Sequence, residues 1–116
     1  MRTIIAGSRD CTDKRELLRA IEHCGWGISV VISGAARGAD RLGELWAQWK
    51  GVPLEQFPAE WNVYGKSAGY KRNEKMAENA DALIALWDGR SRGTKHMIEI
   101  ATRKGLKVYV HLINCG

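Results

Sequence analysis

The chain has 116 residues, 45% hydrophobic and 27% charged, with a formal net charge of +5. That length suits a single domain over residues 1–116 and excludes much beyond one sheet with covering helices. No apolar run approaches the roughly 20 residues of a membrane span. Met1-Arg2-Thr3-Ile4-Ile5-Ala6-Gly7 is broken too soon for a signal peptide, and Cys11, Cys24 and Cys115 lack the spacing of a disulfide framework or zinc site. A cytoplasmic protein is expected, with no membrane partner, no metal and no cofactor.

Strand-like and helix-like segments alternate throughout. Residues 3–6 form a short β-branched apolar run, the first strand. Thr12 or Asp13 caps a helix over 14–24, where Leu17, Leu18, Ile21 and Cys24 recur at helical spacing before Gly25 and Gly27 end it. Residues 28–33 read as the second strand. A helix over 39–50 places Leu42, Leu45, Trp46 and Trp49 on one face, assigned to the core rather than to an interface, and Gly51 closes it. Residues 53–57 give a short third strand, and 58–67 the longest loop. The third helix spans 68–79, with Met76, Ala77 and Ala80 inward. Residues 82–87 are nearly all apolar, as a strand buried on both faces requires. The last helix covers 93–104, with Met97, Ile98 and Ala101 inward; Gly105 stops it before a fifth strand over 107–112. This β/α alternation predicts an α/β fold with a parallel sheet and helices on both faces. Right-handed crossovers leave strand orders 3-2-1-4-5 and 2-1-3-4-5, and either puts ligands at the carboxyl ends of the strands.

The loops that follow the strands therefore carry the functional argument. Gly7-Ser8-Arg9-Asp10 offers a tight turn, a hydroxyl and a guanidinium, suited to an anion or to an ordinary turn. Gly34-Ala35-Ala36-Arg37-Gly38-Ala39-Asp40-Arg41 is small, basic and opens a helix, where free N–H groups favour anions. It lacks the signature of a Walker loop or of a dinucleotide fingerprint. Asp40 fits a ribose hydroxyl, a helix cap, or pairing with Arg37 or Arg41. The 58–67 loop runs into a basic helix start carrying Lys66, Lys71, Arg72 and Asn73. Cations there oppose the helix dipole unless they meet an anion, a role read for Arg72 and Asn73. Trp61 suits either a stacked base or packing over the sheet edge, and packing is the reading adopted. Asp88-Gly89-Arg90-Ser91-Arg92-Gly93-Thr94-Lys95 is the most informative: Ser91, Thr94 and the amides around Gly93 suit a phosphate. Arg9, Arg37, Arg41, Lys66, Lys71, Arg72, Arg90, Arg92 and Lys95, half of the 18 lysines and arginines, fall on this one rim. That distribution points to an anionic ligand.

Four motifs in chain order resemble the SLOG superfamily, in particular its YspA/cpYpsA-related branch. They are Gly7-Ser8-Arg9, the Ser-Gly-x-Ala-Arg-Gly-Ala-Asp loop from Ser33 to Asp40, the Ala-Gly-x-x-Arg-Asn helix start from Ala68 to Asn73, and Asp-Gly-x-Ser-x-Gly-Thr from Asp88 to Thr94. The resemblance implies a Rossmann-like three-layer sandwich of order 3-2-1-4-5, a nucleotide-related ligand and association into homo-oligomers. More distantly the chain is similar to Lonely Guy phosphoribohydrolases and to DprA/Smf proteins. In the phosphoribohydrolases an arginine and a glutamate do the chemistry. Arg72 stands at the arginine position, but the glutamate position falls on Met97. Glu99 lies two residues on, roughly 200° around a helix.

The leading expectation is thus a protein that binds a nucleotide or nucleotide-derived phosphate through Gly7, Ser8, Arg9, Gly34, Arg37, Gly38, Asp40, Lys66, Arg72, Asn73, Asp88, Gly89, Ser91, Gly93 and Thr94. A nucleotide-cleaving hydrolase using Arg72 with Asp40 or Asp88 is the alternative. Single-stranded nucleic-acid binding, which the basic rim and Trp61 permit, ranks third.

Overall fold

The computed structural model describes residues 1–113; Cys115 lies outside them. The elements are β1 (Arg2–Gly7), α1 (Lys14–His23), β2 (Val30–Ser33), α2 (Ala39–Lys50), β3 (Leu54–Gln56), α3 (Trp61–Tyr64), a 3-10 turn (Gly65–Ser67), α4 (Ala68–Glu78), β4 (Ala82–Trp87), α5 (Arg92–Arg103) and β5 (Lys107–Leu112). The five strands are all parallel, in the order β3-β2-β1-β4-β5. Of the two orders compatible with the alternation, the structure adopts the one that the family resemblance implies, and the fold is Rossmann-like α/β.

The period of the strands explains the layers. Side chains alternate across a sheet, so Ile5, Val31, Ile84 and Leu86 face one cluster with Leu17, Ala20 and Ala47. Ile4, Ile32, Leu83 and Ala85 face the other, with Met76, Ala77, Met97 and Ala101. Helices α1 and α2 thus cover one face, and α4 and α5 the other. Every residue of β4 from Ala82 to Leu86 is fully buried, as its unbroken apolar run anticipated. Two glycines set close approaches. A Cβ on Gly43 would stand 2.8 Å from the Ile5 Cβ, so α2 lies tight on β1. A Cβ on Gly7 would strike the Leu86 carbonyl oxygen and come within 2.9 Å of the Ala39 Cβ.

Several expectations change. Residues 58–67, expected as loop, contain α3 and the 3-10 turn, because the Glu60 carbonyl accepts from Val63 and Tyr64 and seeds a helical turn. Leu18, Leu45 and Trp49 point outward, at 40%, 45% and 72% exposure. Each helix lays only a narrow stripe on so small a sheet, and these residues fall beside that stripe. Trp46 packs part-buried against the core, and the Lys50 ammonium sits 4.7 Å from the Trp49 ring centre. Asp13, not Thr12, caps α1, its carboxylate accepting from the Arg15 amide at 3.0 Å.

Among the described residues no helix is long and apolar enough to cross a membrane.

Candidate functional site

Strand order reverses between β1 and β4, so their outgoing loops diverge at the carboxyl edge and leave a crevice. A cavity of about 510 Å³ fills it. Gly7, Ser8 and Arg9 enter from the end of β1, Asp40 from α2, Lys66 from the 3-10 turn, and Arg72 and Asn73 from α4. Asp88, Ser91, Gly93 and Thr94 enter from the end of β4 and the start of α5. The floor is apolar, with Ala6, Met76 and Met97. A second cavity of about 410 Å³ adjoins it, sharing Arg9, Ala36, Trp61 and Arg72 and adding Gly34 and Arg37. Gly38 and Gly89 stand outside both linings. Gly38 instead has a positive φ of 79° and is pressed on the Ser8 and Arg9 backbone, where no side chain fits.

Arg72 is held from two sides. Its Nη1 donates to the Gly34 carbonyl at 2.6 Å, and its Nε donates to Asn73 Oδ1 at 3.0 Å. The Asn73 amide donates in turn to the Gly93 carbonyl at 3.2 Å and contacts His96 Nδ1 at 3.2 Å. This chain ties α4 to α5 and sets the guanidinium plane. Gly34 makes room for it: a Cβ there would lie 2.6 Å from Arg72 Nη1 and 2.8 Å from Asp40 Oδ2. Burial lowers the Arg72 pKa; Asp40 works against that, and the nearby Arg9 charge adds to it. Two guanidinium groups thus line one cavity, an arrangement that an anion between them relieves.

The Asp40 carboxyl is the complement. It is 5% exposed, and burial pushes it up to about 6 despite the Ala36 and Gly34 amides and the Arg72 charge. Asp40 Oδ2 accepts from the Ala36 amide at 3.3 Å, while Arg41 turns to Glu44 at 3.4 Å, so neither arginine pairing anticipated for Asp40 forms. Asp88 is the opposite case. Its Oδ1 accepts from the Arg90 and Ser91 amides, both at 2.8 Å, and these bonds hold its carboxyl below the usual range. Asp88 is thus a turn-former and a weak base.

The loops differ in what they leave free. After β2, three donors are consumed internally: Ala35 N donates to Ser33 Oγ, Ala36 N to Asp40 and Ala39 N to the Ser8 carbonyl. The expected free nest at the start of α2 is therefore partly filled, with the first-turn amides of Asp40 and Arg41 left over. After β4, Ser91 Oγ accepts from the Thr94 amide at 3.4 Å and the Thr94 hydroxyl at 3.0 Å. First-turn N–H groups have no intrahelical acceptor, so those of Arg92 and Gly93 stay available, and Gly93 lines the cavity. The basic rim is also narrower than its sequence distribution. Arg9, Lys66, Arg72 and Arg90 line the larger cavity and Arg37 the smaller, whereas Lys71 stacks 4.9 Å from the Tyr64 ring centre and Arg41 pairs with Glu44. Arg92 and Lys95 are outside both linings.

The sequence reading missed Tyr70 and His96, whose rings meet edge-on at 4.3 Å beside the cavity. Ala-Gly-Tyr at the start of α4 gave no signal for them, because the partner lies a helix away. Trp61, assigned to packing, is 52% exposed and lines both cavities.

The chain is similar to known proteins in sequence and in fold. The family described as "YspA, cpYpsA-related SLOG family" matches residues 1–64, which carry the first two motifs. The Gene 61 protein of Mycobacterium phage D29 is 35% identical over 117 residues, covering 92% of this chain and 93% of that protein. The crystal structure of DNA processing protein A (DprA) from Streptococcus pneumoniae superposes on 94% of this chain with a TM-score of 0.74 at 19% identity. This chain spans about half, 49%, of the DprA chain, and the likeness is one of fold.

Proposed function

Since this chain belongs to the YspA, cpYpsA-related SLOG family, we propose that it binds a phosphate-bearing nucleotide or nucleotide derivative in the crevice between β1 and β4. One observation carries the reading. Arg9 and Arg72 line a single cavity of about 510 Å³ together with Gly93, in the first turn of α5. Charge-assisted bonds from guanidinium groups and helix-start amides are what a phosphate selects. Ser8, Lys66, Asn73, Ser91 and Thr94 complete the polar wall, with Gly34 and Arg37 beyond it. Isothermal titration calorimetry with inorganic phosphate, nucleoside monophosphates, cyclic nucleotides and ADP-ribose tests this. At least one nucleotide is expected to bind, with Arg9→Ala and Arg72→Ala each weakening it about tenfold or more. The exposed Arg9 gives a variant whose fold is not at issue. No binding by any member of the panel rejects the reading.

A hydrolase is favoured by a different observation, the Asp40 carboxyl near neutrality beside Arg72. A base is most useful when its pKa lies near the working pH. Asp88 lacks that property. Met97, at the position where the phosphoribohydrolase resemblance calls for a glutamate, is 1% exposed in the cavity floor and supplies no proton acceptor. Cleavage would thus rest on Asp40. Chromatography of nucleoside monophosphates after incubation detects released base, and none from any of them rejects hydrolysis.

A further inference from the structure

Resting on the nucleotide reading above, we infer that Trp61 is the base-stacking wall of the site: its indole takes a planar nucleobase while Arg9 and Arg72 hold the phosphate. Its surroundings make the case. Trp61 opens α3 and is 52% exposed. An exposed indole alone is ordinary, and Trp49 illustrates that: it is more exposed and lies under its own neighbour, Lys50. Trp61 differs in three ways.

It lines a concave surface, standing in the wall common to both cavities. It sits over Gly69, close to the charge that meets the phosphate: a point built as a Gly69 Cβ lies 3.6 Å from the indole Cη2 and 3.7 Å from Arg72 Nη2. Among the described residues nothing hydrogen-bonds its indole N–H. The Trp26 and Trp87 indoles, by contrast, donate to Thr3 Oγ1 and the Ser91 carbonyl. The other aromatic side chain of the larger cavity, Tyr70, is already engaged edge-on by His96. An indole and a guanidinium thus meet over one glycine, on the wall of a cavity that Gly93 of the α5 first turn also lines. Every base has a π-face, so stacking of this kind supplies affinity with little choice among bases.

The test compares ribose 5-phosphate with the four common nucleoside monophosphates, by calorimetry on the full chain, for the wild type, Trp61→Ala and Trp61→Phe. The wild type is expected to bind at least one monophosphate about tenfold more tightly than ribose 5-phosphate. Trp61→Ala removes that advantage and leaves the ribose 5-phosphate affinity unchanged; Trp61→Phe retains most of it. Equal affinity of the wild type for both ligand types, or a Trp61→Ala loss shared equally by both, overturns the base subsite while the phosphate site stands. Binding of neither ligand type overturns the subsite, and the nucleotide reading falls with it where cyclic nucleotides and ADP-ribose fail to bind as well.

Discussion

Asp40 shows how much one residue's surroundings decide. Burial raises its carboxyl from the ordinary 3.8 to about 6. Between those values the folded chain holds a proton that the unfolded chain has released. The unfolded state then binds fewer protons, so this group makes stability fall as pH rises from about 4 to about 6. Above that window the loss amounts to roughly 3 kcal/mol. Asparagine keeps an acceptor for the Ala36 amide and has no proton to release. Asp40→Asn should therefore gain on the wild type by roughly 3 kcal/mol between pH 4 and pH 7, read from urea unfolding. A difference that stays flat with pH refutes this account of the carboxyl. The same variant separates the two functional readings. It abolishes turnover in a hydrolase, and in a binding protein it holds or strengthens anion affinity, since a negative charge beside the phosphate is removed.

Among the elements, α5 and β1 place their glycines for different reasons. Gly7 ends β1 where a Cβ would strike the Leu86 carbonyl oxygen, and backbone in the middle of a sheet does not yield. Gly7→Ala is expected to cost about 3 kcal/mol or more in stability, measured by urea unfolding. Gly93 lies in the first turn of α5, where an added Cβ meets nothing within 4 Å. Gly93→Ala should leave stability equal to or slightly above that of the wild type, because alanine favours a helix by about 1 kcal/mol over glycine. Its methyl group would still crowd the approach to the helix-start amides, so phosphate affinity should drop severalfold. A Gly93→Ala chain with undiminished affinity would place the phosphate elsewhere.

Across the whole molecule, charge separates a small ligand from a polymer. The net charge of +5 is ample for attracting nucleic acid, but only Arg9, Lys66, Arg72 and Arg90 line the larger cavity. Lys71 and Arg41 are engaged elsewhere. Four cations in one cavity suit one phosphate group rather than a track of them. Affinity for a nucleoside monophosphate should fall less than about tenfold between about 50 and 200 mM salt. A single strand bound along four or five phosphates would lose roughly 50- to 100-fold over that range. Titration of a single-stranded oligonucleotide with that steep dependence would favour the nucleic-acid reading over the small-ligand one.

The sheet and its layers were legible because hydrophobic patterning is a local property. A run buried on both faces, such as Ala82 to Leu86, is apolar throughout whatever lies beside it, and alternation with helices dictates parallel strands. The post-strand loops were legible for the same reason, since topology sends them to one edge. Which faces of α1 and α2 meet the sheet was not legible: Leu18, Leu45 and Trp49 fit a helical stripe as well as their buried neighbours do. Nor were the terms of the site. Whether an amide after β2 is free depends on Ser8 and Asp40 arriving from other elements, and the Asp40 pKa on everything packed around it. The sequence by itself determined the parallel β/α alternation and the edge at which the post-strand loops gather, because periodicity and glycine placement act over a few residues; it left two strand orders open. Only the tertiary structure decided which donors, charges and rings face the cavity, because those depend on contacts between residues far apart in the chain.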